Sequence, residues 1–173
     1  MESAQRRKSI QNMLRFSTEP ITGTELAERF GVSRQVIVQD IAIIRAAGED
    51  IIATPRGYIV HTPFNPHVIT KTFVCRHYTS QEIEDELTTI VDYGGKIIDV
   101  IIEHPIYGEI RGILMISSRQ DVRDFMESLR KEGAQPLSSL TGGIHLHTVE
   151  VKDETTFRRI ERALKEKGYI LEE

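Results

Sequence analysis

Residues 22–48 read TGTELAERFGVSRQVIVQDIAIIRAAG, and this stretch decides the fold of the first part of the chain. Apolar residues recur at helical spacing up to Gly31, a residue type that often ends a helix. Ser33 is a favourable N-cap for a second helix. That helix places three isoleucines on one side, Ile37, Ile41 and Ile44. Two helices joined by a tight glycine turn predict a helix-turn-helix.

The opposite side of the second helix has the composition of a surface that reads DNA. It carries an arginine, two glutamines and two small apolar residues, at Arg34, Gln35, Val38, Gln39 and Ala42. In the major groove arginine pairs with guanine, amides pair with adenine, and small apolar groups contact thymine methyls. We expect base contacts from the arginine and the glutamines, with Ser33 beside them. An ordinary helical hairpin with a solvated face is the alternative, but this face lacks Glu and Lys.

A β-hairpin and an N-terminal helix are predicted on either side of this motif. Residues 51–61, IIATPRGYIVH, form two β-rich runs around a Pro-Arg-Gly turn, which is the pattern of a wing. Arg56 at its tip is a candidate for phosphate or minor-groove contact, or else a solvated turn residue. The helix over 4–17 begins with three cations that are candidates for phosphate contact, Arg6, Arg7 and Lys8. We therefore expect a winged helix-turn-helix DNA-binding domain over residues 1–61.

Composition indicates an ordinary globular protein with an uneven charge distribution. The net charge is −4, and hydrophobic residues make up 39% of the 173 residues. Residues 1–61 hold 8 Lys+Arg against 7 Asp+Glu, and the remainder holds 14 against 19, so the two parts carry +1 and −5. A mildly basic first part on an acidic body suits site-specific DNA binding better than nonspecific coating of nucleic acid.

The cysteine count and the hydropathy pattern indicate a compartment. Cys75 is the only cysteine, so no internal disulfide can form, which is typical of a reducing cytoplasm. The sequence shows no signal peptide and no apolar run long enough to span a membrane. We expect a cytoplasmic protein with no membrane partner.

Two prolines in TPFNP, residues 62–66, predict an extended linker over 62–69, and a second domain follows over 70–173. Strands are predicted at 71–77, 96–104, 107–117, within 140–151 and at 169–171. Helices are predicted after the capping box at Thr79 and over 120–131 and 154–167. The order β-α-β-β-α-β-α-β predicts an α+β sandwich of ferredoxin-like character, with helices on one face of an antiparallel or mixed sheet.

Histidines in the second domain indicate a metal site. His145 and His147 lie two residues apart on a predicted strand, so both rings point to the same face. His77 ends another strand, and an acidic helix follows it at once. Two polar residues on a solvated sheet face are the alternative. Periodicity places Glu84 and Glu86 on the two flanks of the buried side of that helix, and it does not choose between them.

Several segments together resemble a known family. The helix-turn-helix VSRQVIVQDI with the wing IIATPRGYIV, then VDYGG, DVIIEHPIYGEIRG and LTGGIHLHT, are similar to the nicotinate-responsive repressors of NAD biosynthesis. These bacterial regulators join a winged helix-turn-helix to a three-histidine (3H) domain. The resemblance covers essentially the whole chain. It implies a homodimeric repressor of genes for NAD biosynthesis or niacin uptake, acting on palindromic operator DNA with nicotinic acid as corepressor.

The resemblance also implies one divalent metal ion per chain, with zinc or nickel expected. Its ligands would be three imidazoles and one carboxylate, His77, Glu86, His145 and His147. The segment before the acidic helix varies in length in the family, so Glu82, Glu84 and Asp85 remain alternatives for the carboxylate.

The EHP motif places His104 at the effector pocket or beside it. Nicotinate is a planar ring with a carboxylate, so its site needs a positive charge and a flat wall. We assign these roles to the metal with His104, Tyr107 and Arg111, in which the arginine would make a bidentate contact. The alternatives are a hydrogen-bonded core histidine for His104 and an exposed strand residue for Arg111.

Two other functions are open at this stage. In a metal sensor, the metal itself would be the signal. In a metalloenzyme, three histidines and a glutamate would leave an open coordination position for catalysis. Against an enzyme, the sequence has no clear general base near the motif and no glycine-rich phosphate loop, and Cys75 lies alone on an apolar strand. We therefore expect a non-enzyme.

Overall fold

The computed structural model describes residues 2–60 and 68–171, which belong to two compact units divided between residues 64 and 65. The predicted end of the first domain at His61, and most of the predicted linker, lie outside the described residues. The first strand of the second unit begins at Ile69, so the last residue of the predicted linker belongs to that unit. No helix within these described ranges is long and apolar enough to cross a membrane.

The N-terminal unit is three helices and a two-stranded hairpin. Its elements are α1 (Ser3–Phe16), α2 (Gly23–Phe30), α3 (Arg34–Ala46), β1 (Ile51–Thr54) and β2 (Gly57–Val60). The core is formed by apolar side chains from all three helices, including Ile10, Leu14, Leu26, Ile37, Ile41 and Ile44. Burying each one contributes about 1.5–3 kcal/mol, so the isoleucine side of α3 is held firmly inward. The opposite side of α3 is left at the surface.

Local hydrogen bonds set the helix ends as the sequence predicts. Thr22 and Glu25 form a capping box at the start of α2. Gly31 follows the helix with a left-handed backbone, φ 63°, which a glycine adopts without strain. Ser33 Oγ then accepts a hydrogen bond from the backbone N–H of Val36 and caps α3. The turn between α2 and α3 is therefore determined by short-range contacts.

The predicted wing is present and gains a third short segment. β1 and β2 are antiparallel, and Ile21 exchanges two backbone hydrogen bonds with Tyr58 at 2.9 and 2.8 Å. Gly57 lies where a Cβ atom would come within 2.4 Å of the Ile21 carbonyl oxygen. Only glycine permits this approach, so the Pro-Arg-Gly turn is required by the packing of the wing on the segment before α2.

Two of the predicted phosphate-binding cations have another role. Arg6 Nε lies 2.6 Å from an oxygen of Asp40, and Arg7 approaches the other oxygen at 3.4 Å. Asp40 is buried on α3, so its charge needs these partners. The pair therefore ties α1 to α3.

The C-terminal unit is a four-stranded antiparallel sheet with three helices on one face. Its elements are β3 (Ile69–Arg76), α4 (Ser80–Asp92), β4 (Lys96–His104), β5 (Gly108–Ile116), α5 (Arg119–Glu132), a 3₁₀ turn (Leu137–Thr141), β6 (Ile144–Val151) and α6 (Glu154–Glu166). The strand order is β3-β6-β4-β5. This confirms the predicted α+β class.

One continuous core lies between this sheet and its helices. It takes Phe73 and Val149 from the sheet and Leu87, Met126 and Ile160 from the helices, among others. The Phe73 ring stacks on Phe157 of α6, with ring centroids 4.7 Å apart. Side chains that face the helices from β3 and β6 are therefore buried, and this position holds the histidines described below.

The predicted closing strand over 169–171 is wrong as a strand. The segment makes a single antiparallel bridge, between Ile170 and Cys75, at the outer edge of β3. Backbone hydrogen bonds from Arg76 N to Tyr169 O and from Leu171 N to Val74 O flank that bridge at 2.8 and 3.0 Å. Gly168 turns the backbone off α6 with φ 77°, and the short segment that follows reaches β3 at only one position.

Candidate metal centre and nucleic-acid interface

The three predicted histidines and Glu86 meet inside the C-terminal unit. The Nε2 atoms of His77, His145 and His147 lie 2.5, 3.3 and 3.6 Å from one oxygen of Glu86, Oε2. All four side chains are buried, and Glu86 is 0% exposed. We call this group the histidine–glutamate cluster. Its four members come from the end of β3, from α4 and from β6.

The sheet register explains how distant residues reach one place. β6 pairs with β3 so that His145 lies opposite Cys75 and His147 opposite Phe73, all on the face that the helices cover. His77 follows β3 directly, and α4 begins three residues later. Residues two apart on a strand share a face, so the His-x-His spacing delivers both rings to the helix that crosses above them.

The structure also separates Glu86 from the neighbouring carboxylates that sequence left open. Glu82 accepts hydrogen bonds from the backbone N–H groups of Tyr78 and Thr79 and caps α4. Asp85 pairs with Lys167 at 2.7 Å, and Glu84 is exposed. Glu86 is the one of these carboxylates that points into the cluster.

Two backbone carbonyls determine which ring nitrogens face the carboxylate. Nδ1 of His145 lies 2.8 Å from the Gly143 oxygen, and Nδ1 of His147 lies 2.7 Å from the Asp99 oxygen. A carbonyl oxygen only accepts, so both Nδ1 atoms carry the proton and donate it. In the neutral rings the Nε2 atoms therefore present lone pairs toward Glu86. This second contact on each ring is the usual way in which proteins orient metal-binding histidines.

Burial and charge act in opposite directions on the titration of the cluster. Burial alone would raise the pKa of Glu86, but when the rings carry protons on Nε2 as well, the charge of His147 and hydrogen bonds from the three rings outweigh it and hold that pKa well below its usual range. Burial alone would lower the pKa of His147, and the Glu86 charge and the Asp99 contacts outweigh it and raise that pKa. The carboxylate is thus ionised and requires a positive charge beside it.

Gly143 allows two of the histidines to come together. Its φ is 88°, and a Cβ atom there would lie 2.2 Å from the carbonyl oxygen of His77. The Gly143 carbonyl accepts from the His145 ring, as described, and from the His77 backbone N–H at 3.4 Å. The close approach of the two backbone segments therefore occurs at Gly143. At Gly142 a Cβ atom would meet nothing within 4 Å.

Sequence reasoning missed two residues that contact the cluster. Asp99 is 0% exposed and lies at a β-bulge in β4, where its backbone oxygen accepts a hydrogen bond from the His147 ring. The Asp99 carboxylate accepts hydrogen bonds from the Thr148 N–H and from Arg111. Cys75 is also fully buried. The donor atoms of Cys75, Glu86 and His145 all lie within 4.8 Å of one another. This group differs from the predicted ligand set because it contains Cys75. A charged residue within the apolar run IIDVII was the signal for Asp99.

The donor set fits a divalent transition metal. Three imidazole nitrogens and a carboxylate oxygen are ligands that zinc and nickel accept. Two buried polar atoms, Glu86 Oε1 and His77 Nδ1, have no hydrogen-bond partner among the described residues. Burying an unpaired oxygen of an ionised carboxylate is costly, and a cation bound between these groups would remove that cost.

The predicted effector residues lie apart from the three imidazoles. His104 Nδ1 accepts hydrogen bonds from the backbone N–H groups of Ile106 and Tyr107 at 3.2 and 3.4 Å, so its ring caps the β4–β5 turn. Tyr107 is 76% exposed at that turn. Arg111 pairs with Asp99 at 2.9 Å and with Glu109 at 3.1 Å. Through Asp99, Arg111 is the member of the trio that connects to His147.

The predicted reading face of α3 is at the surface. Residues 34, 35, 38, 39 and 42 are all exposed, and Ser33 caps the helix beside them. Gln35 and Gln39 make no side-chain hydrogen bond with any other described residue. Their amides are therefore available to base edges, as the prediction requires.

Arg34 lies differently from the two glutamines. Its side chain lies next to Gly23 at the start of α2, and the Tyr58 ring of the wing also lies beside Gly23. With Arg56 it lines a 210 Å³ cavity between α2, α3 and the hairpin. Arg34 and Arg56 thus place positive charge at the junction of the reading helix and the wing.

Together these features define a class of protein: a winged helix-turn-helix regulator whose second unit carries a buried cluster of three histidines and a glutamate. Residues 6–59 match a family of helix-turn-helix domains, and residues 70–173 match the 3H domain family. The chain is 47% identical over 169 residues to the probable transcription repressor NiaR of Thermotoga maritima, spanning 98% of this chain and 95% of that relative. It is 37% identical over 171 residues to the transcription repressor NadR of Bacillus subtilis, with the same coverage.

The chain therefore belongs to the family of transcription repressors that join a helix-turn-helix to a 3H domain. It is a DNA-binding transcription repressor and not an enzyme. The predicted reading-face, metal and effector residues remain predictions about individual side chains.

Proposed function

We propose that this repressor controls genes of NAD biosynthesis or niacin uptake in the cytoplasm, with nicotinic acid as corepressor and a divalent metal ion in the C-terminal unit. The observation that carries the proposal is the direction of the imidazole lone pairs. The Nδ1 protons of His145 and His147 are used by backbone carbonyls, so neutral rings turn acceptors toward an acceptor oxygen of Glu86. Acceptors facing acceptors in a dry site need a positive charge between them, and one divalent ion would provide it to the rings and the carboxylate at once.

His77, Glu86, His145 and His147 would hold that metal, with zinc or nickel as the expected ion. Its positive charge would balance Glu86 and attract an anionic effector. Asp99 and Gly143 orient two of the ligand rings before any ion binds, so metal binding does not have to order those rings.

Nicotinic acid fits the chemistry near this centre because it is a flat ring with one carboxylate. His104 accepts through Nδ1 in its turn, so its neutral ring carries the proton on Nε2 as a free donor. Tyr107 offers an exposed aromatic wall, and its ring centroid lies 5.0 Å from that of His104. Arg111, with its side chain 47% exposed, can bind the carboxylate if it leaves Glu109 or Asp99. Because Asp99 holds His147, that exchange would connect effector and metal.

We propose that the active form is a homodimer assembled mainly through the C-terminal units, bound to a palindromic operator. One small reading face covers one half-site. Two-fold pairing would place two α3 helices in major grooves about 34 Å apart, or a multiple of that. Nicotinic acid need only favour the DNA-competent arrangement by about 1–3 kcal/mol to act as corepressor.

Calorimetry of nicotinic acid binding to the metal-loaded protein, with and without operator DNA, tests the mechanism. Linkage requires that operator tighten nicotinic acid binding by the same factor by which nicotinic acid tightens operator binding. Equal affinities in the two titrations would exclude nicotinic acid as the corepressor. Nicotinamide serves as the matched control because it lacks the carboxylate that the site is proposed to bind.

A metal sensor is the second candidate, and one observation favours it. His104 and Tyr107 lie at an exposed turn, whereas the cluster is fully buried, so the cluster can respond to metal without them. Operator binding measured against metal concentration, in the absence of nicotinic acid, separates the two functions. Full operator affinity with metal alone would identify the metal as the signal.

A further inference from the structure

The one cysteine of this chain lies at the histidine–glutamate cluster. Cys75 is on β3, directly opposite His145 of β6, and its side chain is 0% exposed on the sheet face that the helices cover. Its sulfur lies within 4.8 Å of donor atoms of both Glu86 and His145, and those two donors lie within 4.8 Å of each other. A buried cysteine is usually a small apolar side chain in a core, so proximity alone does not make it a ligand.

A second observation points to a bound group at this position. Glu86 Oε2 faces the three histidines, but the other oxygen, Oε1, is buried and has no hydrogen-bond partner among the described residues. Glu86 is 0% exposed, so water does not satisfy this oxygen from the surface. A buried carboxylate that has one unpaired oxygen and lies within 4.8 Å of a thiol and an imidazole is a set of donors that lacks its cation.

The nature of these donors narrows the class of cation. Magnesium, calcium and manganese prefer oxygen ligands, whereas thiolate sulfur favours zinc and other softer ions. A thiol that coordinates such an ion does so as thiolate, and its proton leaves to solvent as the metal binds. The step needs no oxidant or reductant.

We propose that Cys75 is a direct ligand of the metal, contributing a thiolate beside Glu86 and His145 and making the centre selective for zinc-like ions over manganese and magnesium. This inference rests on the proposed metal function of the cluster and adds to it a ligand that the three-histidine, one-glutamate set does not contain. The side chain is then part of the donor set as well as of the apolar core.

The uniqueness of Cys75 makes the test direct. Cobalt(II) is a spectroscopic substitute for zinc, and a thiolate bound to it gives intense near-ultraviolet charge-transfer absorption. The chain contains one cysteine, so any such band must come from Cys75. The metal-free protein is titrated with cobalt(II), and the visible bands of the ion report binding independently of the sulfur band.

The variants are Cys75→Ser and Cys75→Ala, with Val149→Ala as control. Val149 is buried in the same core on the neighbouring strand and offers no donor atom, so its truncation tests loss of packing alone. Both cysteine variants should bind cobalt without the charge-transfer band, and the control should keep it. We expect zinc affinity in the cysteine variants to fall by at least the roughly 10- to 100-fold that loss of an outer-shell partner costs. Manganese affinity should change much less.

X-ray absorption at the zinc edge gives a second readout that does not depend on folding stability or on DNA binding. A sulfur scatterer at about 2.3 Å, beside nitrogen and oxygen at about 2.0 Å, is expected in the wild type only. Stoichiometric cobalt or zinc with no sulfur signal would overturn the Cys75 assignment and leave the proposed metal centre intact. Failure to bind any ion would overturn both, and the two results are distinguished by the visible cobalt bands.

Discussion

The reading face of α3 and the histidine–glutamate cluster are both polar, but the first is exposed to solvent and the second is buried. Gln35 and Gln39 are exposed and make no side-chain hydrogen bond with any other described residue. A surface that reads bases must exchange water for base edges without losing hydrogen bonds within the protein. His145 and His147 are buried, and each has one ring nitrogen fixed by a carbonyl. A polar group in a dry core is tolerated only when its partners are determined in advance.

This difference predicts where mutations will act. Changes at Gln35 and Gln39 should alter DNA affinity and leave folding stability unchanged, because these side chains make no hydrogen bond with any other described residue. Changes in the cluster should alter stability and metal content together, because each side chain there compensates the burial of another.

The largest effect is expected for Glu86→Gln. Neutralising the carboxylate leaves the bound cation, or a protonated His147 in the metal-free protein, without its buried negative partner, which typically costs about 3–5 kcal/mol of unfolding free energy. Metal should also be lost, as measured by elemental analysis after dialysis. Glu84→Gln, on an exposed position of the same helix, is the control and should behave like wild type. A stable Glu86→Gln protein with full metal content would locate the site elsewhere.

The next largest effect is expected for Gly143→Ala. Its Cβ atom would lie 2.2 Å from the His77 carbonyl oxygen, so the strand and the residue after β3 must separate. We expect a loss of about 1–3 kcal/mol from overpacking and strain, with weaker metal binding. Gly142→Ala carries a similar positive φ but has open space around the new atom, so it isolates the backbone strain. Denaturant unfolding of both variants, with and without metal, measures the difference; equal losses would mean that the close approach does not matter.

On the reading face, Gln39→Ala should cost about 1–3 kcal/mol of operator affinity and relax preference at one base position. Its melting temperature should match that of the wild type.

Arg34→Ala sharpens the comparison, because Arg34 lines a cavity together with residues of the wing. If it reads a base, specificity relaxes, as the sequence predicts. If it binds phosphate, affinity falls on all sequences and the slope of log affinity against log salt drops by about 1, the result expected for Arg56→Ala.

The smallest effect is expected from Asp85, a carboxylate at the edge of the cluster helix. A hydrogen bond from Lys167, with a second from Tyr169, lowers the pKa of Asp85. A lowered pKa stabilises the folded state above the unfolded value, near pH 3.9, and that stability is lost as pH falls through the folded pKa. The side chain is partly exposed, so Asp85→Asn should cost less than about 1 kcal/mol at pH 7. The difference from wild type should vanish in acid unfolding series near pH 2, and a difference that grows instead would reverse the assignment.

Much of the N-terminal unit is readable from sequence because its signals are local. Gly31 and Ser33 determine the turn through contacts within a few residues, and the isoleucine spacing on α3 orients the helix whatever surrounds it. The roles of Arg6 and Arg7 were not readable. Their partner Asp40 lies more than thirty residues away, and only packing of α1 against α3 brings them together.

In the C-terminal unit, too, the sequence reveals the features set by local patterns but not those set by long-range contacts. Period-two and period-three-to-four patterns predicted its helices, the four strands of the sheet, the shared face of His145 and His147, and the α+β class, but they also predicted a strand over 169–171 that is only a single bridge. The tertiary structure alone decided the strand order β3-β6-β4-β5 and the positions of Asp99 and Cys75 at the cluster, and it selected Glu86, which the periodicity had left open. The physical reason is range: a periodic pattern states which side of an element is buried, whereas a binding site depends on which elements that side meets.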